Sequence, residues 1–301
     1  MLEGLLVLFI GQLVGSTVLP IGTKIGVQIL SPLVFVFGRF LFATIFLLPL
    51  FLLSKKKQIQ PADYIPLMGL AVLLFINVTL FTIAIQFTTA IMSQILYTAT
   101  PIVVGIFGHY FLSERLTKHK ITGLFIALIG VGFLLFQSAT THAHLTFGTP
   151  LGNLLILIAV LGYSAYLLYA RVLSNTKKYT SVQLSFFTFA FIGIYLFFIN
   201  LFSIFSSSGH INLFNAVAVW SVLAVGAGNT VSYFFLQVGI KKTSAFTASL
   251  FQYISPFLNA VASTILLHEK PTLALALGGG IIIVGVFYAT TYDRIKRRLL
   301  K

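Results

Sequence analysis

Apolar residues fill this chain in long blocks, separated by short polar intervals. The blocks fall at about 4–27, 32–53, 63–86, 90–112, 120–137, 150–172, 182–204, 212–238, 244–267 and 272–291. Each is long enough, as a helix rising about 1.5 Å per residue, to cross a hydrocarbon layer ~30 Å thick. In lipid a backbone must satisfy its own hydrogen bonds, so helices are the natural reading. The pattern predicts an all-α integral membrane protein of ten transmembrane helices, with no room for a soluble domain.

Composition sharpens this reading. Of 301 residues, 58% are hydrophobic and only 8% are charged, where soluble domains carry about 25% charged residues. The net charge of +14 would suggest a nucleic-acid partner in a soluble chain, but its placement points to a bilayer instead. Lys55, Lys56, Lys57, Arg115, Lys118, Lys120, Arg171, Lys177, Lys178, Lys241, Lys242 and the tail Arg294, Lys296, Arg297, Arg298, Lys301 all fall on one side if the spans alternate. Of the remaining three, Lys24 and Lys270 fall opposite and Arg39 lies inside the second span. Short-loop Lys and Arg mark the cytoplasmic face, so both termini are expected there, in a plasma (inner) membrane. No cysteine is present, which removes disulfides and thiolate metal sites.

The chain also resembles itself. Shifted by 155 residues, Pro101 falls on Pro256, Glu114 on Glu269, Gly123 on Gly278 and Gly130 on Gly285, and positions 82–135 give 11 identities without a gap. A repeat of five spans is odd, so the second copy enters the membrane from the other side. The expected organisation is a first repeat over 1–137, an outer linker over 138–149, a second repeat over 150–292 and a basic cytoplasmic tail over 293–301. Inverted repeats of this kind build transporters, with the site near the midplane where the repeats meet.

Polar side chains inside the spans follow the same offset. Gln94, Tyr97, Thr98 and Pro101 share a face of the fourth span, and Ser249, Gln252, Tyr253 and Pro256 occupy the same positions in the ninth. Polar groups facing lipid are unfavourable, so the stripes point inward, as cavity lining or as bonds between helices. The two prolines each free a carbonyl one turn back and are candidate hinges. Gln12, Ser16, Thr17, Asn77, Tyr163, Tyr166, Asn229 and Tyr233 are further inward-facing candidates. Gly11, Gly15, Gly22 and Gly26 have the spacing that lets helices approach closely.

Arg39 lies about seven residues, or roughly 10 Å, inside the second span. Such a charge needs backbone carbonyls, Glu269 at the outer face, or an anionic group on a substrate. The five acids, Glu3, Asp63, Glu114, Glu269 and Asp293, all sit near span ends. A buried carboxylate for proton coupling or for lipophilic cations is therefore missing. Glu114 and Glu269, each beside a basic residue, read as anchors or interfacial ion pairs. His142 and His144 lie in the outer linker without a third ligand nearby, and His268-Glu269 is not followed by a second His at Thr272. No catalytic residue, metal or cofactor is expected.

The paired segments "TTAIMSQILYTATPIVVGIFGHYFLSERLTKHKITGLFIALIGVGFLL" and "KTSAFTASLFQYISPFLNAVASTILLHEKPTLALALGGGIIIVGVFY" resemble the EamA domains of the ten-helix drug/metabolite transporter superfamily. "LSPLVFVFGRFLFATIFLLPL", with Arg39, resembles that family's second helix. The resemblance implies two inverted five-helix bundles, alternating access, and a cavity lined by the first, third, fourth, sixth, eighth and ninth spans. Carried over by position, that cavity includes Thr17, Asn77, Gln94, Tyr97, Tyr163, Asn229, Gln252 and Tyr253. Arg39, Thr98 and Ser249 complete the expected substrate-binding set. The first span reads "QLVGSTVLP" where the family often has Trp-Gly with a nearby Asn. The expected function is a secondary transporter, an exporter or exchanger of a small polar metabolite, with an amino acid as the leading class. A non-transporting membrane scaffold or sensor is the alternative. The expected partners are the substrate and the bilayer, with no nucleic acid, and a homodimer stays open.

Overall fold

In the computed structural model the described residues are 2–54, 58–88, 90–114, 116–141, 148–176, 179–206, 215–266 and 273–299. Expectations for Lys55 to Lys57, Arg115, His142, His144, Lys177, Lys178, His268, Glu269 and Lys270 lie outside them. The chain forms α1 (Leu2–Gly26), α2 (Pro32–Leu53), α3 (Tyr64–Ala84), α4 (Ala90–Tyr97), α5 (Ala99–Leu112), α6 (Lys118–Thr141), α7 (Pro150–Thr176), α8 (Ser181–Ser206), α9 (Ala216–Lys242), α10 (Ala245–Leu250), α11 (Ser255–Leu266) and α12 (Leu273–Leu299). No strand occurs among the described residues. Seven helical stretches are long and apolar enough to cross a membrane among those residues.

Local chemistry sets the helix starts. Pro32 and Pro150 occupy first helical positions, where a missing N–H is harmless. The Asn215 side chain accepts from the Val217 and Ala218 amides to cap α9, and Ser244 accepts from the Thr247 amide to cap α10. Leu53, Phe198 and Trp220 stand exposed on the outer surface. In water such a surface would drive association; against acyl chains it is the expected one.

Because lipid is as apolar as leucine, burial alone does not hold these helices together, and close packing must. Glycine provides it. A Cβ on Gly123 would stand 2.6 Å from the Ala289 Cβ and from the Gly285 carbonyl oxygen, and one on Gly130 2.8 Å from the Gly278 carbonyl oxygen. So α6 and α12 cross with their backbones in contact. The pairing is reciprocal: Gly123 meets Gly285 and Gly130 meets Gly278, each the 155-residue counterpart of the other's partner. The offset that aligns the sequence repeats therefore also relates the contacts of these two helices. Elsewhere Gly11, Gly15 and Gly22 of α1 meet Phe235, Ser232 and Val225 of α9. Correspondingly, Gly152 and Gly162 of α7 meet Phe87 and the Leu73–Asn77 stretch of α3. Rings join α2 to α8, with Phe51 stacked on Phe186 at 4.0 Å and Phe40 beside Phe189 at 5.8 Å.

The sequence pattern predicts continuous fourth and ninth spans, and the structure breaks both. Thr98 interrupts the fourth, its amide reaching Ile95 O at 3.1 Å in a tightened turn. A 3-10 turn, Phe251–Ile254, interrupts the ninth. Each break lies just before a proline, Pro101 or Pro256, where the i to i−4 ladder is lost in any case. The Tyr253 hydroxyl donates to the Thr98 carbonyl at 2.8 Å, so one break is bonded to the other.

Candidate functional site

Between these breaks lies a polar cluster in an apolar molecule. Asn77, buried on α3, donates from Nδ2 to the Tyr97 hydroxyl at 2.6 Å and to the Ala159 carbonyl at 2.9 Å. That ties α3, α4 and α7 together. Tyr163 and Tyr166 of α7 stack at 6.0 Å, and Tyr166 meets Tyr233 of α9 edge-on at 6.4 Å. Tyr233 packs on Phe189, and Gln237 donates to the Tyr166 hydroxyl at 2.6 Å. Tyr163 lies close enough to Gln252 and Tyr97 to interact with both electrostatically. Arg39 lies near Tyr233, with its guanidinium carbon 5.3 Å from the Phe40 ring centre.

Several buried polar atoms in this cluster have no partner in the structure: Arg39 Nε, Asn229 Nδ2, Gln237 Oε1 and Gln252 Oε1. Buried polar atoms are nearly always bonded, and each unmet one costs about 1–3 kcal/mol. They are carried by α2, α9 and the Phe251–Ile254 turn, and the last two also bear Tyr233 and Tyr253. Together they offer two donors and two acceptors beside tyrosines.

The expected residues divide accordingly. Arg39, Asn77, Tyr97, Tyr163 and Gln252 are linked through Tyr166 and Tyr233, and Asn229 is buried one turn before Tyr233 on α9. Thr17 is turned to its own helix, donating to Leu13 O at 2.8 Å, and Ser249 does the same to Phe246 O at 2.8 Å. Thr98 contributes its carbonyl to Tyr253, while its hydroxyl bonds Ile95 O at 2.5 Å. The Gln94 side chain lies outside the described residues. Gln12 instead joins α1 to Ser255 beside Pro256, and also donates to Ser16 at 3.2 Å. Of the pairings expected for Arg39, no carbonyl is bonded and no carboxylate is paired among the described residues; the side chain faces aromatic rings. One residue escaped the sequence reading. Gln237 follows Asn229 and Tyr233 at spacings of four, a signal that was there to use. Glu114, expected as an anchor or interfacial ion pair, forms such a pair.

Its carboxylate lies 3.5 Å from Arg171 Nε and accepts from the Ala245 and Phe246 amides at 3.2 and 3.4 Å. Arg171 in turn donates to the Ile240 and Lys241 carbonyls at 2.7 and 3.0 Å. Glu114 thus meets the positive end of α10 and Arg171 the negative end of α9. Nearby, Asp63 accepts from the Tyr179 hydroxyl at 2.5 Å, and burial together with that bond raises the Tyr179 pKa.

Comparison with known proteins gives the family. The model of the EamA-like transporter family matches residues 3–136 and again 150–291. The chain belongs to that family. Among its relatives, an uncharacterized transporter of Bacillus subtilis, YetK, is 31% identical over 260 residues, covering 83% of this chain and 75% of its own. An uncharacterized transporter of Archaeoglobus fulgidus is 25% identical over 264 residues, covering 88% of this chain and 90% of its own. A crystal structure superposes with a TM-score of 0.77 at 18% identity, covering 97% of this chain and 98% of that one. The EamA-like chain is therefore a multi-pass membrane protein of a transporter family, and its fold is one already seen in a crystal.

Proposed function

We propose that this EamA-like protein is a secondary transporter that moves a small polar metabolite by alternating access, as an exporter or exchanger in a plasma (inner) membrane. The leading substrate class is an amino acid. Ten spans would form two inverted repeats, 1–137 and 150–292, joined by an outer linker and followed by a basic tail. The reciprocal glycine crossing of α6 and α12 supports that arrangement. The basic residues gathered at the Glu114–Arg171 end support cytoplasmic termini.

The observation that carries the reading is the set of unpartnered buried polar atoms together with the two broken spans. Irregular backbone at membrane depth persists where protein or a polar ligand meets it, and broken helices mark the sites of transporters. Binding residues would be Arg39, Asn77, Tyr97, Tyr163, Asn229 and Gln252, with Gln94, Thr17, Thr98, Ser249 and Tyr253 flanking them. Pro101 and Pro256 would let the outer parts of the two spans swing.

Counterflow in proteoliposomes tests this, with a mixed pool of amino acids, organic acids, amines and nucleosides read by mass spectrometry. Selective exchange of one compound, reduced at least about tenfold by Gln252→Ala or Tyr163→Phe, equivalent to ~1.4 kcal/mol, is the expected result. No exchange of any compound by folded protein would favour a scaffold or sensor instead.

A further inference from the structure

One face of α9 runs Gly226, Asn229, Tyr233, Gln237, at steps of three and four. At its start, a Cβ on Gly226 would stand 3.0 Å from the Arg39 carbonyl oxygen, so α2 and α9 touch there. Further along, Tyr233 is the electrostatic neighbour of Arg39. Asn229 lies between them on that face, 1% exposed, with its Nδ2 donor unmet. Arg39 Nε, buried, is unmet as well.

Charge is the decisive quantity. The acids whose side chains are described are committed elsewhere: Glu3 to Lys242, Asp63 to Tyr179, Glu114 to Arg171. Among the described residues, the interior around Arg39 thus holds a guanidinium, aromatic rings, hydroxyls and amides, and one positive charge without a counter-charge. A charge in low dielectric is expensive until it is paired. A guanidinium is always charged and offers donors in a fork that matches a carboxylate.

We propose that Arg39 and Asn229, beside Tyr233, form a carboxylate-binding subsite that sets the charge class of the transported molecule. This rests on the transport reading above. The unmet acceptors Gln237 Oε1 and Gln252 Oε1 ask for a hydrogen-bond donor on the same ligand, so the shared chemistry is a carboxylate with a neighbouring ammonium or hydroxyl. A phosphate dianion fits less well, because one guanidinium and one amide leave its remaining oxygens without donors.

Two measurements test the subsite. The first needs no ligand: Asn229→Asp places a carboxylate on α9 where the substrate's is to bind. It should raise Tm by about 2 °C or more, and the gain should vanish in an Arg39→Gln background. A lowered Tm, or a gain that persists without Arg39, overturns the proposal. The second uses counterflow with alanine, lactate, phenylalanine and phenyllactate against alaninamide, lactamide, phenylalaninamide and phenethylamine. Expected is exchange of acids over their amides and the amine by about tenfold or more, with the preference lost in Arg39→Gln. Equal exchange of amides or amines overturns the proposal. Preference for amino over hydroxy acids, or the reverse, identifies the donor. Absence of all exchange would count against transport, and the Asn229→Asp result would then decide the subsite alone.

Discussion

Two corners of the molecule are built alike and bonded differently. In one, the start of α1 packs on the loop between α9 and α10: Gly4 lies under Lys242 and Thr243, and Glu3 pairs with Lys242 at 2.5 Å. In the other, the start of α7 packs on the loop between α3 and α4. There Gly152 lies under Phe87, Thr149 donates from its amide to Phe87 O at 2.8 Å, and Thr88 donates to Asn153 Oδ1 at 2.6 Å. The backbone geometry is repeated, but the first corner uses ions and the second neutral groups. Glycine at the contact is required by the fold wherever two helices meet so closely. The charges are those expected if the first corner faces the cytoplasm, where basic loops stay.

If packing is shared and charge is not, the corners should respond differently to the same kinds of change. The largest effect should come from steric overfilling. Gly152→Val puts a side chain against the Phe87 backbone, whose carbonyl carbon would stand 2.7 Å away. Overpacking should cost about 3 kcal/mol, read as a lower Tm in detergent. Gly4→Val meets the Thr243 Cγ2 at 2.7 Å and the Lys242 Cβ at 2.9 Å, but at the first turn of α1, where a helix end can fray, and should lower Tm less. Next, Glu114→Gln leaves Arg171 without its counter-charge and weakens the α10 cap, for about 1–3 kcal/mol. Raising salt should shrink this difference, because the pair is partly exposed. Asn153→Ala, at the neutral corner, should cost about 1 kcal/mol with no salt dependence. The smallest effect is Lys242→Gln, which breaks an exposed pair and should leave Tm unchanged. Equal salt dependence at the two corners would show that the charge difference has no energetic consequence.

The all-helical membrane character was legible because long apolar blocks leave few alternatives, and seven membrane-length stretches stand among the described residues; the sequence repeat was visible because Pro, Glu and Gly hold fixed positions in it. The sequence carried the site in part. Tyr97, Tyr163 and Asn229 could be chosen because polar residues inside spans turn away from lipid. Thr17 and Ser249 satisfy the same criterion yet bond their own helices, a choice of rotamer that composition does not reveal. Glu114 was legible as an ion-pair candidate, but its partners were not. Its partners, Arg171, Ala245 and Phe246, lie far off in sequence, and only the packing of one half on the other brings them within reach. The helix breaks at Thr98 and Phe251–Ile254 lie two to five residues ahead of Pro101 and Pro256, where the prolines mark freed carbonyls but not the tightened turns that form there.

If the proposed alternating-access transport holds, the two corners would act as gates on one site, and closing one should be linked to opening the other. Because the chain has no cysteine, a single Gln252→Cys gives a clean reporter. It can be labelled with a membrane-impermeant maleimide in vesicles of either orientation. The account predicts labelling from both faces, and a shift when Glu114→Gln loosens the charged end: faster from that face, slower from the other. Labelling from one face only, or a rise from both faces together, would contradict it.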